Sequence, residues 1–306
     1  AHLRPALARG NVTLLTKSQV LKINITDNSV SGVTFKHRGE TRSVKANKEV
    51  ILSGGAINSP HLLMLSGIGP EKHLKEHGID VNVDLPGVGQ NLQDHSCVIL
   101  QYACKKSFPI HKVNQPHRKL ATGIKWVFTK KGIGASNIWE AGGLIRSSSK
   151  AAYPDIQYHF GPVGFEYEDN KISLLQAFAI HVDQLRPRSR GEVTLKSADP
   201  LEKPLMTFNY LQHSEDLAEM LSGVKKAREL ISQQAFDEYR GEELIPGPEV
   251  ESDEDLVTFI RDVAETDYHP SCSCAMGNSK MAVVDEQMKV NGVTNLHVCA
   301  RSVRPA

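Results

Sequence analysis

Residues 53–69 read SGGAINSPHLLMLSGIG, and they follow the apolar run Glu49-Val50-Ile51-Leu52 without a break. A strand running into Gly54-Gly55-Ala56 and then into an apolar helical stretch makes one strand, glycine turn and helix unit. Ser59 can cap free N–H groups and Pro60 suits a first helical position, so the helix is expected to start there and to run through Leu65. Such a turn aims several backbone N–H groups at one spot, with the positive end of the helix dipole behind them. Residues 53–59 are therefore a candidate anion site. Glycine serving turn geometry alone is the other reading of the same residues.

Outward from this unit, β-like runs at residues 12–16, 20–25 and 30–35 are separated by turn formers such as Asp27-Asn28-Ser29, which predicts a small meander. Downstream, strand candidates at 155–160, 174–181 and 192–196 alternate with glycine-rich connections and predict a sheet-based lobe. Within 215–240, Leu217, Met220, Leu221, Val224, Ala227 and Leu230 recur at helical spacing, with a break expected near Gln233. Ser252 followed by Asp255 resembles a capping box opening a helix through Val263. Short strands are expected again at 281–284 and 296–299. The fold class expected is α/β, mixed α+β.

The sequence has 306 residues, enough for one large domain or two ordinary ones. Its 36 Lys and Arg balance 35 Asp and Glu, and no long block of one sign stands out, so a polyanion such as nucleic acid is a poor expectation as partner. No apolar run approaches the roughly 20 residues that span a bilayer. The cysteines, Cys97, Cys104, Cys272, Cys274 and Cys299, are odd in number and mostly scattered, which fits a reducing compartment better than a disulfide framework. Both ends read as internal to a longer chain: there is no initiator Met, and the last residues follow an apolar strand directly.

The 53–69 stretch resembles the second signature of the glucose–methanol–choline family of FAD-dependent oxidoreductases. Residues 84–95, DLPGVGQNLQDH, resemble the family as well. So do Gly134-Ala135-Ser136-Asn137, residues 154–160 (PDIQYHF), Arg188-Ser189-Arg190-Gly191 and Tyr268-His269-Pro270-Ser271-Cys272. Nearly the whole chain is similar to the choline dehydrogenase branch. The resemblance implies residues 1–95 as part of an FAD-binding domain, 96–264 as a substrate-binding domain whose sheet covers the flavin, and 265–306 as a return to the FAD-binding domain. It implies FAD as cofactor, held by Val20, Ser53, Gly54, Gly55, Ala56 and Ser59. It also implies choline as the alcohol, a membrane electron acceptor such as a quinone, and a site at the mitochondrial inner membrane.

Hydride leaves a carbinol carbon more easily when the hydroxyl proton leaves too, so a base with a pKa near working pH is required beside the oxygen. Histidine meets that need, and the resemblance assigns the role to His269. A lone His before Pro is otherwise structural more often than catalytic. A quaternary ammonium cannot donate hydrogen bonds and is held by aromatic faces and a carboxylate. Trp139 and Glu140 form a candidate pair, His159 is implied as a second imidazole, and Tyr158, Phe165 and Tyr268 are candidate cage walls. The plainer reading makes Trp139 and Phe165 core residues and pairs Glu140 with an arginine.

Gly87-x-Gly89 and Gly132-x-Gly134 lack the strand, helix and third glycine of a dinucleotide fingerprint and are read as turns. His269, Cys272 and Cys274 lack a second ligand pair at zinc spacing, so no metal is expected. No Gly-x-Ser-x-Gly elbow occurs. By the resemblance, a G-x-G-x-x-G cofactor unit and a second catalytic Asn or His lie outside this sequence, so an inactive fragment, or a dehydrogenase of another alcohol, is the alternative. Near the end, Ala300 stands where the family has an acid, and Arg301 and Arg304 where it has small or apolar residues. Burying two unpaired guanidinium groups is costly, so this segment is expected not to pack as in a working enzyme.

Overall fold

The structure is a computed structural model that describes residues 2–107, 109–113, 115–168 and 171–305. It divides into two compact units, one of Ala1–Gln93, Arg190–Phe208 and Pro270–Ala306, the other of Asp94–Ser189 and Asn209–His269. Helices and sheets mix in both, as the sequence leads one to expect.

In the first unit, strands Ser18–Thr26, Ser29–His37 and Glu40–Lys45 form an antiparallel meander. Asp27 and Asn28 join the first two strands with φ of 49° and 55°, the doubly left-handed turn that suits the twist of a two-residue hairpin. The strand expected at 12–16 does not form. A short helix, Leu3–Ala8, precedes that stretch, and Val12, Leu14 and Leu15 stay exposed with no strand partner among the described residues.

Strand Val50–Leu52 pairs in parallel with Leu296–Val298 and turns through Gly54 into the helix Gly55–Leu65. That helix starts four residues before Ser59, which corrects the expected start, and Pro60 lies inside it. Proline has no N–H for the carbonyl four residues back. Ser273 Oγ donates to that carbonyl, Ala56 O, and restores the missing bond. At the other end, Ser66 Oγ donates to Leu62 O at 2.7 Å and accepts from Ile23 N at 2.9 Å, which ties the helix to the meander. Ile23, Leu63, Met64, Ile68, Leu74 and Leu92 fill the core beneath.

Residues 190–208 belong to this unit and interrupt the continuous 96–264 segment expected from the sequence. The reason is packing: Val193 is fully buried in the same core, and its N–H donates to Gly89 O at 2.7 Å. Leu92 and Gly191 exchange main-chain bonds beside it. The C-terminal segment is bonded into this unit, without the buried guanidinium groups on which the sequence reading turned. Cys272, Cys274 and Met276 N–H groups donate in step to the carbonyls of Arg301, Ser302 and Val303. Ser302 is buried while the Arg301 and Arg304 side chains are exposed, so no guanidinium is desolvated.

The second unit is built on an antiparallel sheet in the order Arg240–Ile245, Ser96–Cys104, Ala177–Gln184, Ile156–Gly161, Ala141–Ile145, with Glu265–Thr266 joined to the start of Ser96–Cys104. Helix Ser214–Ser232 lays Met220, Val224, Ala227 and Ile231 on one face of this sheet and ends at the expected break. Helix Asp253–Val263 is capped as read, with Ser252 Oγ accepting from Asp255 N at 3.1 Å. Helix Pro116–Thr129, which the sequence reading passed over, buries no residue.

Gly89 sits at φ +82°, and a Cβ there would stand 2.1 Å from Val193 O. Gly89→Ala should therefore destabilise the first unit by roughly 2 kcal/mol or more, combining backbone strain and displacement of that strand. Urea unfolding read by circular dichroism checks it.

Candidate active site

Strand alternation sorts the second unit's sheet into two chemistries. Val98, Leu100, Tyr102, Ile156, Tyr158, Phe160, Phe178, Ile180 and Val182 meet the helix. Their neighbours in sequence, among them Cys97, Gln101, Gln157, His159, His181 and Asp183, point to the opposite face. Tyr158 is thereby removed from the expected aromatic cage: it is buried on the helix side, where its hydroxyl donates to Gly223 O at 2.7 Å. His159, one residue on, necessarily lies on the other face.

On that face His159 Nε2 stands 3.3 Å from Asp183 Oδ2 and 2.7 Å from Gln157 Nε2. Cys97 Sγ lies 3.5 Å from His181 Nδ1. Trp139 packs edge-on against both rings, with centroids 4.4 Å from His181 and 5.9 Å from His159. Gly161 leaves the room for it, since a Cβ there would be 3.0 Å from the indole. Burial, with the His159 imidazole beside it, lowers His181 to about 4. Asp183 is completely buried, and burial, reinforced by Asp267, raises it to about 7 although the Cys97 thiol acts in the other sense.

His269 is held from two sides. Its Nδ1 lies 3.0 Å from Asp267 Oδ2 and 3.4 Å from His95 Nδ1, and its main-chain N–H donates to Asp94 Oδ1 at 2.9 Å. The other oxygen of Asp94 accepts from Tyr210 at 2.6 Å and Thr266 at 2.5 Å. One ligand-type atom from each of His159, Asp183 and Asp267 lies within 4.8 Å of the other two, which joins the His269 cluster to the sheet face. The His269 side chain remains 39% exposed.

Of the other expected residues, Glu140 is exposed, accepts from Ser136 Oγ at 2.5 Å, and sits beside Trp139 in sequence without sharing its contacts. Tyr268 is 80% exposed. Phe165 stands 6.3 Å, centroid to centroid, from His181 and lines a cavity of about 500 Å³ with Ile99, Gln101, Leu244 and Glu265. Asp94, His95, Cys97, His181, Asp183 and Asp267 were not singled out from sequence. Alternation along each strand was the signal that could have found the sheet residues, and Asp94-His95 lay inside a stretch already quoted.

In the first unit, Val20, Ser53, Gly54 and Ser59 line a cavity of about 250 Å³ together with Gln19, Asn58 and His61. Gly55 and Ala56 are the first residues of the adjoining helix and are not among its lining residues. Ser59 Oγ is buried there without a hydrogen-bond partner among the described residues, so a polar ligand group fits the cavity.

Residues 1–97 and 187–306 match the N-terminal and C-terminal family models described as GMC oxidoreductase. The chain is 44% identical, over its whole length, to the oxygen-dependent choline dehydrogenase of Staphylococcus saprophyticus and 43% to that of Staphylococcus xylosus, covering 55% of each. It thus spans about half the length of the curated relatives it matches. Among solved structures it is similar to a formate oxidase of Aspergillus oryzae studied for its FAD modification (TM-score 0.85, 27% identity, 94% of this chain and 56% of that one). It is similar also to pyridoxine 4-oxidase from Mesorbium loti (TM-score 0.82, 26% identity, 98% and 55%). The staphylococcal relatives overturn the expected mitochondrial location, since bacteria have no such organelle. Among the described residues no helix is long and apolar enough to cross a membrane.

His181 and Asp183 impose opposite pH dependences. A lowered imidazole means that the unfolded chain binds more protons between about 4 and 6.5, so this group makes stability rise with pH there. A raised carboxyl means that the folded chain binds more protons between 3.8 and about 7, so this group makes stability fall with pH there. Asp183→Asn should expose the rising limb and His181→Gln the falling one, as read by urea titrations across that range.

Proposed function

Because the chain belongs to the GMC oxidoreductase family, we propose that the protein oxidises a primary alcohol, choline, to betaine aldehyde with FAD. The observation that carries this reading is the fixed orientation of His269. The substrate rests on the relatives named choline dehydrogenase, and the activity is assigned to a whole protein of their length. FAD, when bound, supplies the acceptor for the hydride of the carbinol carbon. Val20, Ser53, Gly54 and Ser59 would hold a polar part of it, Ser59 Oγ gaining the partner it lacks.

Asp267 Oδ2, 3.0 Å from His269 Nδ1, favours a proton on that nitrogen and leaves Nε2 as the lone pair that takes the hydroxyl proton. Asp94, gripping the main chain of His269, fixes the backbone from which the ring projects. Trp139 offers an aromatic face and Glu140 a carboxylate to the trimethylammonium group. The relatives are named oxygen-dependent, and oxygen uptake during turnover separates oxygen from a membrane quinone as the final electron acceptor.

In the flavin-loaded protein, His269→Ala should lower kcat by about 10²- to 10⁴-fold. Rates left unchanged would sink the assignment. Glu140→Gln should raise KM for choline by about tenfold and leave KM for an uncharged primary alcohol alone. Equal effects on both alcohols would remove choline from the proposal.

A further inference from the structure

The acid at position 183 has no obvious reason to be where it is. It is completely buried, and neither oxygen has an aligned hydrogen-bond partner among the described residues. A buried charge in that state is costly unless a neighbour answers it. The groups facing it come from every adjoining element. Gln157 and His159 lie on the strand at one side, Cys97 on the strand at the other, His181 two residues back on its own strand, and Asp267 just past Glu265–Thr266. Glu265 pairs across from Cys97. Burial pushes the Cys97 thiol far up and keeps it protonated, a weak donor only.

His159 Nε2 is the nearest strong group, and its two neighbours make contrary demands on it. The Gln157 amide at 2.7 Å, placed nitrogen first, requires a bare lone pair. The Asp183 carboxylate, 3.3 Å away though not aligned as a hydrogen bond, favours an N–H there by its charge. An amide can exchange its oxygen for its nitrogen by turning over, whereas an ionised carboxylate can only accept. The carboxylate therefore decides. We propose that Asp183 is a positioning residue: its carboxylate fixes His159 as the Nε2–H tautomer, turns the Gln157 amide oxygen toward it, and leaves Nδ1 as the acceptor atom of the ring. When Asp183 takes up a proton, it becomes a donor to Nε2 and reverses the tautomer, so the hydrogen-bonding character of His159 follows the charge of an acid that solvent does not reach. The burial that raises Asp183 to about 7 puts this reversal near neutrality. The inference rests on the proposed function only in giving His159 an alcohol to meet; the tautomer is a property of the chain itself.

Ring ¹⁵N shifts distinguish a protonated from a bare imidazole nitrogen, so the chain labelled with ¹⁵N-histidine tests this directly, His159 being assigned by loss of its signals in His159→Gln. About one pH unit above the Asp183 titration, Nε2 should carry the proton; about one unit below, Nδ1 should. In Asp183→Asn the new amide donates to Nε2, so the Nδ1–H form should persist at both pH values. Unchanged ring shifts in that variant, or an Nδ1–H ring at the higher pH in the parent, overturn the proposal. Should Asp183→Asn fail to fold, the ¹³C titration of the Asp183 carboxyl in His159→Gln replaces it. Loss of the imidazole should move that titration upward by about one unit or more, and an unmoved titration is equally fatal. Alcohol oxidation that survives His269→Ala, with the tautomer result intact, defeats the proposed function alone.

Discussion

The two-residue period of an antiparallel strand governs the second unit. Once helix Ser214–Ser232 covers one face of the sheet, every second residue of three adjacent strands is committed to the hydrophobic core. The residues between them are committed to the other face. Cys97, Gln157, His159, His181 and Asp183 converge because the strands are in register, with Cys97 and Gln157 both opposite Asp183 and His159 opposite His181. A one-residue slip would exchange the two faces and put five polar groups into the core. The packing that stabilises this unit thus also fixes its chemistry.

Three buried acids in this unit show how differently burial can be answered. Asp216 is desolvated too, yet bonds from Ser189 Oγ, the Arg188 and Ser189 amides and Gln184 outweigh that cost and hold the carboxyl below its usual range. Asp94 accepts from Tyr210, Thr266 and the His269 amide and acts as a structural clamp. Asp183 has only the weak Cys97 thiol acting in that sense among the described residues, and burial raises it. For Asp216 and Asp183, the donors that answer burial separate a carboxyl held as an anion from one pushed toward its protonated form.

The sequence disclosed elements whose signals are local. Ser252 with Asp255, the Asp27-Asn28 turn and the apolar stripe of 217–230 each act within a few residues, and each has its counterpart in the structure. It misled where a remote residue repaired a local defect. Pro60 marks a helix start unless something serves Ala56 O, and that partner, Ser273, lies more than two hundred positions away. Strand Glu40–Lys45 is exposed along its length, and helix Pro116–Thr129 buries nothing, so neither is impressed on the sequence by a core. Tyr158 is a different case, because its adjacency to His159 in a strand already excluded a shared face.

The same reasoning explains why His269 is legible as a motif but not as a geometry. One residue, Tyr268, separates it from Asp267, and their side chains meet because that residue takes a left-handed turn at φ +58°, uncommon for a bulky residue. Pro270 restricts His269 to extended backbone and so limits how that turn can relax. The strain of order 1 kcal/mol or more at Tyr268 persists only if the surroundings over-determine it. Asp94 does so by gripping Thr266 on one side of the turn and the His269 amide on the other, while Thr266 Oγ1 accepts from Tyr268 N at 2.9 Å. Imidazole, carboxylate and strained residue form one device, and the acid that holds it together stands 175 positions earlier in the chain.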